Sequence, residues 1–407
     1  MSTSQHLRSW NAQTLVDALR HHGGMSRSEL TRATGLSGTT VASILHELTR
    51  RGLISEDGTT GDTTAQTRGR PAARIRLHRD AGLVLGIEVG REDLHVVLTN
   101  LGHDVLDHRQ AAFPLDTPAD EVLDLTAALV EKLVDLRSPL VGVGLALPSP
   151  IDPADGRVDP HILATWAGAP AADRFATRLG APVLVENDAN AEAMAELSLG
   201  AGRGLRHMIY VKVSWGIGGA IVVDGSLRRG SRNAAGELAH LQIRGAHRPC
   251  RCGRPACLGP AADGNALRHD LRAVHGADLA LEEIVRLARD GDLVAQRALD
   301  DSGRMIGQAL APVCNALNPE AIIVGGELSV TGSPLLDGVK SGLSRATLPP
   351  VSDALQLRSA ALGTAAGAIG AAGLVVRSEI AGGHLAAITG GSARPARRRR
   401  TEPTRAQ

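Results

Sequence analysis

The chain has 407 residues, enough for two or three domains with separate cores, and a formal net charge of +1. It opens with no signal peptide and holds no run of eighteen apolar residues, so a soluble, cytoplasmic protein with no membrane partner is expected. The charge is uneven. Residues 1–80 carry eleven Arg against seven acidic residues and residues 391–407 six Arg against one Glu, so basic ends flank an acidic body and nucleic acid is expected at one end or both.

The first eighty residues carry three short helical patterns. Leu15, Val16 and Leu19 form an apolar stripe that stops before Gly23-Gly24. Ser26 and Glu29 have capping-box spacing at the start of a second helix, which ends at Gly35. A third starts after Ser37, a good N-cap, and places Val41, Ile44, Leu45 and Leu48 on one face. Its other face shows Thr39, Thr40, Ser43 and Arg50. Two helices joined by a short turn at Gly35-Leu36 make a helix-turn-helix, with Ser37, Thr39, Thr40 and Ser43 placed to meet DNA. An ordinary three-helix surface bundle would share the pattern.

Short strand-like pieces at Leu53-Ile54-Ser55 and Arg74–Leu77 enclose a polar stretch, as a wing would. Before the second comes Arg68-Gly69-Arg70-Pro71, an extended strip suited to a narrow minor groove, with Arg68 and Arg70 as the inserting side chains. Residues 1–80 thus read as a winged helix-turn-helix domain on double-stranded DNA. A two-fold protein reading a palindromic operator is the expected partner geometry, hence a homodimer or higher homo-oligomer.

From residue 82 apolar strands alternate with helical patterns. Strands are expected at Leu83–Val89, His95–Thr99, Val141–Leu147, Val183–Val185, Met208–Val213 and Ile217–Val223. Helices are expected at 119–136, 189–199, 265–275, 280–290 and 293–317, so the body is α/β with βαβ units. The Arg-rich tail at 381–407 reads as disordered.

Three of the four cysteines fall within eight positions. His240, Cys250, Cys252 and Cys257 supply one imidazole and three thiolates, a closed tetrahedral set for a structural Zn²⁺. Chance thiols in a reducing cytosol, or a disulfide, are the plainer readings. Cys314, alone in an apolar helical run, reads as a buried core thiol.

In order, the chain holds the helix-turn-helix, Glu186-Asn187-Asp188-Ala189-Asn190, Gly236-Glu237 with His240, and the Cys-x-Cys-Gly-x3-Cys-Leu cluster. Leu317-Asn318-Pro319-Glu320 then leads into Val324-Gly325-Gly326-Glu327. Taken together from residue 10 to about 375, these resemble the ROK family, which groups sugar-responsive repressors with sugar kinases. The resemblance implies a two-lobed actin-like ATPase fold of the sugar kinase and Hsp70 type. The lobes would span 81–195 and 196–380, with the last helix returning to the first lobe. It also implies that Asn187, Asp188, Glu237 and His240 line a sugar site. Asp188 matches the kinases' general base, and one nitrogen of His240 would hold the metal while the other faces sugar or an acceptor.

The kinase loops are altered. Where such kinases carry Asp-x-Gly-Gly-Thr, this chain has Glu88-Val89-Gly90-Arg91-Glu92, followed by Asp93. Where they carry Gly-Thr-Gly-Ile-Gly, it has Ser214-Trp215-Gly216-Ile217-Gly218. Phosphates need close backbone approach and a neutral or positive setting, so ATP is not expected as a cofactor and Asp188 reads as a vestigial base. Gly259 replaces the family's usual sugar-holding Glu, and Ser149 stands where Gly is common. A regulator of carbohydrate uptake or metabolism genes, most simply a repressor sensing a sugar or sugar phosphate, fits these features. The alternatives are a working ATP-dependent sugar kinase with a fused DNA-binding domain and a sensor that answers to a protein partner.

Overall fold

The computed structural model describes residues 3–57, 73–78, 82–115, 117–133, 140–159, 162–166, 170–331 and 333–380. Arg68, Arg70 and the tail 381–407 lie outside the described residues.

The N-terminal unit comprises α1 (Thr3–His22), α2 (Arg27–Thr34), α3 (Gly38–Arg50) and an antiparallel pair, β1 (Ile54–Asp57) and β2 (Arg74–Leu77). Ser26 and Glu29 form the reciprocal capping box of α2, and Gly35 ends that helix in the left-handed conformation that glycine adopts without strain. Ser37 caps α3 by accepting from the Thr40 amide. Val41, Leu45 and Leu48 are buried beneath α3, while Ile44 is only half-buried, at the edge of the stripe that included it.

The body holds two five-stranded sheets. The first joins β3 (Leu83–Val89), β4 (Asp93–Asn100), β5 (Val105–Ala112), β6 (Leu140–Leu147) and β7 (Val183–Asn187) in the order β5-β4-β3-β6-β7. The second joins β8 (Met208–Val213), β9 (Ile217–Val223), β10 (Ser226–Leu227), β11 (Ala321–Gly325) and β12 (Gln356–Ser359) in the order β10-β9-β8-β11-β12. Both are built alike. Three strands meander antiparallel and the last two run parallel to the first, each reached through helical crossovers. In the first lobe the crossovers contain α4 (Ala119–Leu133) and α5 (Ala171–Leu179). In the second they contain α7 (Gly259–Ala262), α8 (Gly264–His275), α9 (Leu281–Arg289) and α10 (Leu293–Leu317), then α11 (Ser333–Ser344) and α12 (Pro349–Ala354). Between the lobes runs α6 (Asp188–Leu199), and α13 (Ala366–Ile380) returns to pack on β3, β6 and α6.

The period of two along β3 and β8 decides what faces the space between the lobes. Leu83, Leu85, Ile87 and Val89 join the outer core of the first lobe with Phe175 and Trp166. The alternate residues Val84, Gly86 and Glu88 look the other way, toward α13 and the cleft. Along β8, Ile209, Val211 and Val213 enter the second lobe's main core, whereas Met208 and Tyr210 pack near α6 and Lys212 reaches the cleft.

The apolar residues of the DNA-binding unit do not form a separate core. Leu15, Val16, Leu19, Leu45 and Ile75 are continuous with Val84, Val97, Ile369, Val375, Val376 and Ile380. Polar ties add to this, with Arg20 Nε donating to Gly102 O at 2.9 Å and Arg51 donating to the backbone of Glu379 and Ile380.

The sequence reading named no element at β5, β10, β11 or β12, nor at α5, α7, α11 or α12, and two of these show why. β5 is largely solvent-facing, so its residues VLDHRQAA carry no apolar alternation. α5 is short and polar on average, and only Ala171 and Phe175 are buried.

α13 approaches β6 so closely that a Cβ on Gly144 would overlap the carbonyl oxygen of Ala371. Gly144→Val should therefore destabilise the protein by about 3 kcal/mol, the upper range for overpacking a tight core. Urea unfolding monitored by circular dichroism checks this, and a loss under about 1 kcal/mol would show that α13 can retreat at little cost.

Candidate functional site

Three carboxylates from two elements converge between the lobes. Glu88 lies on β3, Asp188 opens α6, and Glu192 lies one turn along it. Lys212 is seated among them. Its Nζ lies 2.9 Å from Glu88 Oε1, 2.9 Å from Asp188 Oδ2 and 2.5 Å from Glu192 Oε1. Tyr210 donates its hydroxyl to Glu192 Oε2 at 2.5 Å.

Burial sets the charge states. It raises Glu88 and pushes Glu192 up to about 8, with neighbouring carboxylates adding to both shifts and Lys212 opposing them. Burial alone would depress the Lys212 ammonium, but Asp188, Glu192 and Glu88 hold it well above the usual lysine range. Removing the ammonium would leave like charges buried without a counter-ion, which is far costlier than the pair is stabilising.

The remaining polar residues of the cleft are heavily committed. Asn187 is the N-cap of α6, accepting from the Asn190 amide at 3.1 Å, and donates from Nδ2 to Asp188 Oδ1 at 3.2 Å. Asp188 Oδ1 also accepts from the Ala189 amide. Glu186 accepts from Asn190 Nδ2 and Arg229 Nε, at 2.9 and 2.7 Å. Burial pushes Glu237 up to about 7, helped by the charges of Asp188 and Asp159. Ser149 Oγ accepts from the Asp159 amide at 3.0 Å, fixing the loop after β6 there.

His240 follows Glu237 in a short 3-10 turn, Leu238–His240. Its Nδ1 is 3.5 Å from Cys250 Sγ, and Cys252 Sγ is 3.6 Å from Cys257 Sγ. The four ligand atoms all lie within 4.8 Å of one another. A tetrahedron with metal–sulfur bonds of ~2.3 Å has edges near 3.8 Å, so the set fits one small tetrahedral ion. The cysteines are free, and the longer separations exclude a formed disulfide. His240 Nε2 points away from the thiols and lies 3.9 Å from Glu237 Oε2, beyond a direct hydrogen bond. Cys314 is buried in α10, apart from this group.

The DNA-facing candidates lie together. Ser37, Thr39 and Ser43 are exposed and Thr40 half-exposed on the outer side of α3, with Ser37 Oγ 2.9 Å from Thr39 Oγ1 and 2.8 Å from Thr40 Oγ1.

Residues 84–378, most of the body, match the ROK family. The chain belongs to the ROK family. Residues 11–58 match the IclR helix-turn-helix domain, so a ROK body is fused to a DNA-binding head. Over 370 residues the chain is 27% identical to the xylose repressor of Bacillus subtilis (strain 168), covering 90% of this chain and 94% of the relative. A crystal structure of a ROK family transcriptional regulator, a homolog of the E. coli MLC protein, superposes with a TM-score of 0.75 at 26% identity, covering 94% of this chain and 99% of the other. A ROK family glucokinase from Streptomyces griseus, solved with glucose and AMPPNP, gives 0.64 at 29% identity and covers 72% of this chain and 99% of the kinase. The regulators match the chain with its head; the kinase matches the body alone.

Lys212, Glu192 and Tyr210 were missed by the sequence reading. A lysine inside the apolar strand MIYVKV was the available signal, since an ionisable group on a buried strand needs a partner.

Because Glu192 holds its proton to about 8 in the folded state and to ~4.5 when unfolded, the native state binds more protons between those values. Stability should therefore fall as pH rises across that window, by at most about 1.4 kcal/mol per pH unit. Chemical unfolding from pH 5 to 8 should show a shallower decline in Glu192→Gln than in wild type, and parallel profiles would place the titrating group elsewhere.

Proposed function

We propose that this protein is a DNA-binding transcriptional repressor of carbohydrate uptake or metabolism genes, with a kinase-like body that senses a sugar or sugar derivative and transfers no phosphoryl group. The observation that carries this reading is the position of Lys212. Phosphoryl transfer of this type requires a divalent cation and a carboxylate free to accept the sugar hydroxyl's proton. Here the lysine ammonium takes the place among the carboxylates that a cation would need, and both oxygens of Asp188 are engaged. The substitutions at Arg91 and Trp215 remove the small residues that let phosphates approach the backbone.

The effector would lie against Asn187, Asp188, Glu237 and His240, where donors and acceptors alternate as a ring of hydroxyls requires. Zn²⁺ would be held by His240, Cys250, Cys252 and Cys257, supplying structure alone by tying the loop after Glu237. In a homodimer, Ser37, Thr39, Thr40 and Ser43 of each head would meet one half-site, with Arg68 and Arg70 reaching the minor groove. The uninterrupted core between head and body supports direct transmission. A sugar that binds one arrangement of the lobes better than another shifts the heads with them.

Fluorescence anisotropy on DNA from upstream of the protein's own gene tests the regulator, and steady-state ATP turnover tests the kinase alternative. Affinity should fall steeply with salt, and Ser43→Glu, which sets a carboxylate against the phosphates, should weaken binding on the order of 100-fold while leaving sugar-induced thermal shifts intact. Sugar-dependent ATP hydrolysis at ordinary kinase rates would overturn the sensor reading.

Metal analysis of the purified protein should find one zinc per chain, and Cys252→Ser should lose both the zinc and the effect of sugar on DNA binding. Intact sugar sensing in verified metal-free protein would separate the loop from the sensor.

A further inference from the structure

The mouth of the cleft carries cations whose donors are mostly without acceptors among the described residues. Arg91 leaves the C-terminal end of β3 and Trp215 the C-terminal end of β8, each three positions beyond the residues, Glu88 and Lys212, that link the lobes. The C-terminal ends of strands, where two lobes meet, are where α/β proteins hold ligands. The Arg91 guanidinium carbon lies 5.8 Å from the centroid of Trp215, and that of Arg268, on α8, lies 4.7 Å from the same ring. Asn265 Nδ2 donates to Trp215 O at 2.7 Å, so the indole's backbone is pinned to the start of α8.

Arg91 is half-buried, yet none of its five N–H donors has a hydrogen-bond acceptor among the described residues. Arg268 spends only Nε, on Leu279 O at 2.7 Å, and its two terminal amino groups have no partner among the described residues. Burial first, and then the nearby cation of Arg251, lower the Arg91 guanidinium from its usual range, with Arg268 acting in the same sense. Arg251, exposed between Cys250 and Cys252, adds the charge of a third guanidinium on the side of Arg91.

The neighbouring acids are mostly engaged. Asp93 faces His95 Nε2 at 3.1 Å, and Asp263 caps α8 by accepting from the Ala266 amide at 2.8 Å. Glu92 and Asp263 are the carboxylates whose charges act on Arg91, against three guanidinium groups.

We infer that Arg91 and Arg268, braced on Trp215, form with the exposed Arg251 nearby a phosphate-ester site that selects a phosphorylated sugar as effector over its neutral parent. This rests on the sensor reading above and narrows it. Partly buried guanidinium forks with free donors match the paired oxygens of a phosphate, whereas a neutral hydroxyl would leave most of them unsatisfied. Arg91 belongs to the first lobe and Arg268 and Arg251 to the second, so an anion bound by all three favours the approach of the lobes.

Titration calorimetry on the full-length, metal-loaded protein tests this. The probes are hexoses and pentoses, their phosphate monoesters, inorganic phosphate and ATP. At least one sugar phosphate should bind tighter than its parent sugar by roughly tenfold or more. Arg91→Gln and Arg268→Gln should erase that preference, and Arg91→Lys should keep part of it. If neutral sugars bind as tightly as their phosphates, or the Gln variants keep the preference, the phosphate site is overturned and the sugar sensor stands. If ATP binds in preference and depends on Arg91, the anion site belongs to a nucleotide and the effector assignment falls. If no sugar of either kind binds, both readings fail.

Discussion

The closeness with which α13 lies on the first sheet is the constraint on which the other parts of the molecule depend. A Cβ on Gly86 would overlap Ala368 O, and one on Gly370 would overlap Ala191 O. The helix is therefore wedged between β3 and α6 with no room for a larger side chain. Its far end carries Val375, Val376 and Ile380 into the core that holds Leu15, Leu19 and Leu45 of the head. Its start passes Glu88, whose carboxylate would collide with any Cβ on Gly367. One rigid element thus runs from the charged cleft to the base of the DNA-binding unit. Because packed interiors shift between discrete arrangements rather than deform smoothly, a change at the cleft has a physical route to the head.

Lys212 determines what that cleft can do. An ammonium within hydrogen-bond reach of three carboxylates neutralises charge that the fold would otherwise need a cation to balance, and it joins strands of two different sheets in doing so. Beyond it, Arg91 and Arg268 stack over Trp215 from the two lobes. On the proposed reading, a phosphate recognised there would be held as part of an effector.

Much of the site was legible because its chemistry is written in short spacings. The His240 and cysteine pattern named four residues whose donor atoms the fold brings together, since metal binding demands particular donor atoms whatever the loop conformation. Caps at Ser26 and Ser37 were readable for the same reason, being contacts across three residues. The Lys212 cluster was not, because Glu88 and Lys212 lie 124 residues apart and meet only when two sheets face each other. β5 escaped notice as an edge strand without an apolar face.

The order and type of residues by themselves made legible the helix-turn-helix, the alternation of strands and helices, the four residues of the candidate metal group and the altered kinase loops. Each depends on periodicity or on local geometry that a few neighbouring residues impose. Only the tertiary structure decided that the head shares its core with the body, that a lysine sits where a cation would sit, and that arginines from both lobes gather around Trp215. Those are contacts between segments distant in the chain, and their pairing is set by how sheets and helices pack rather than by any local preference.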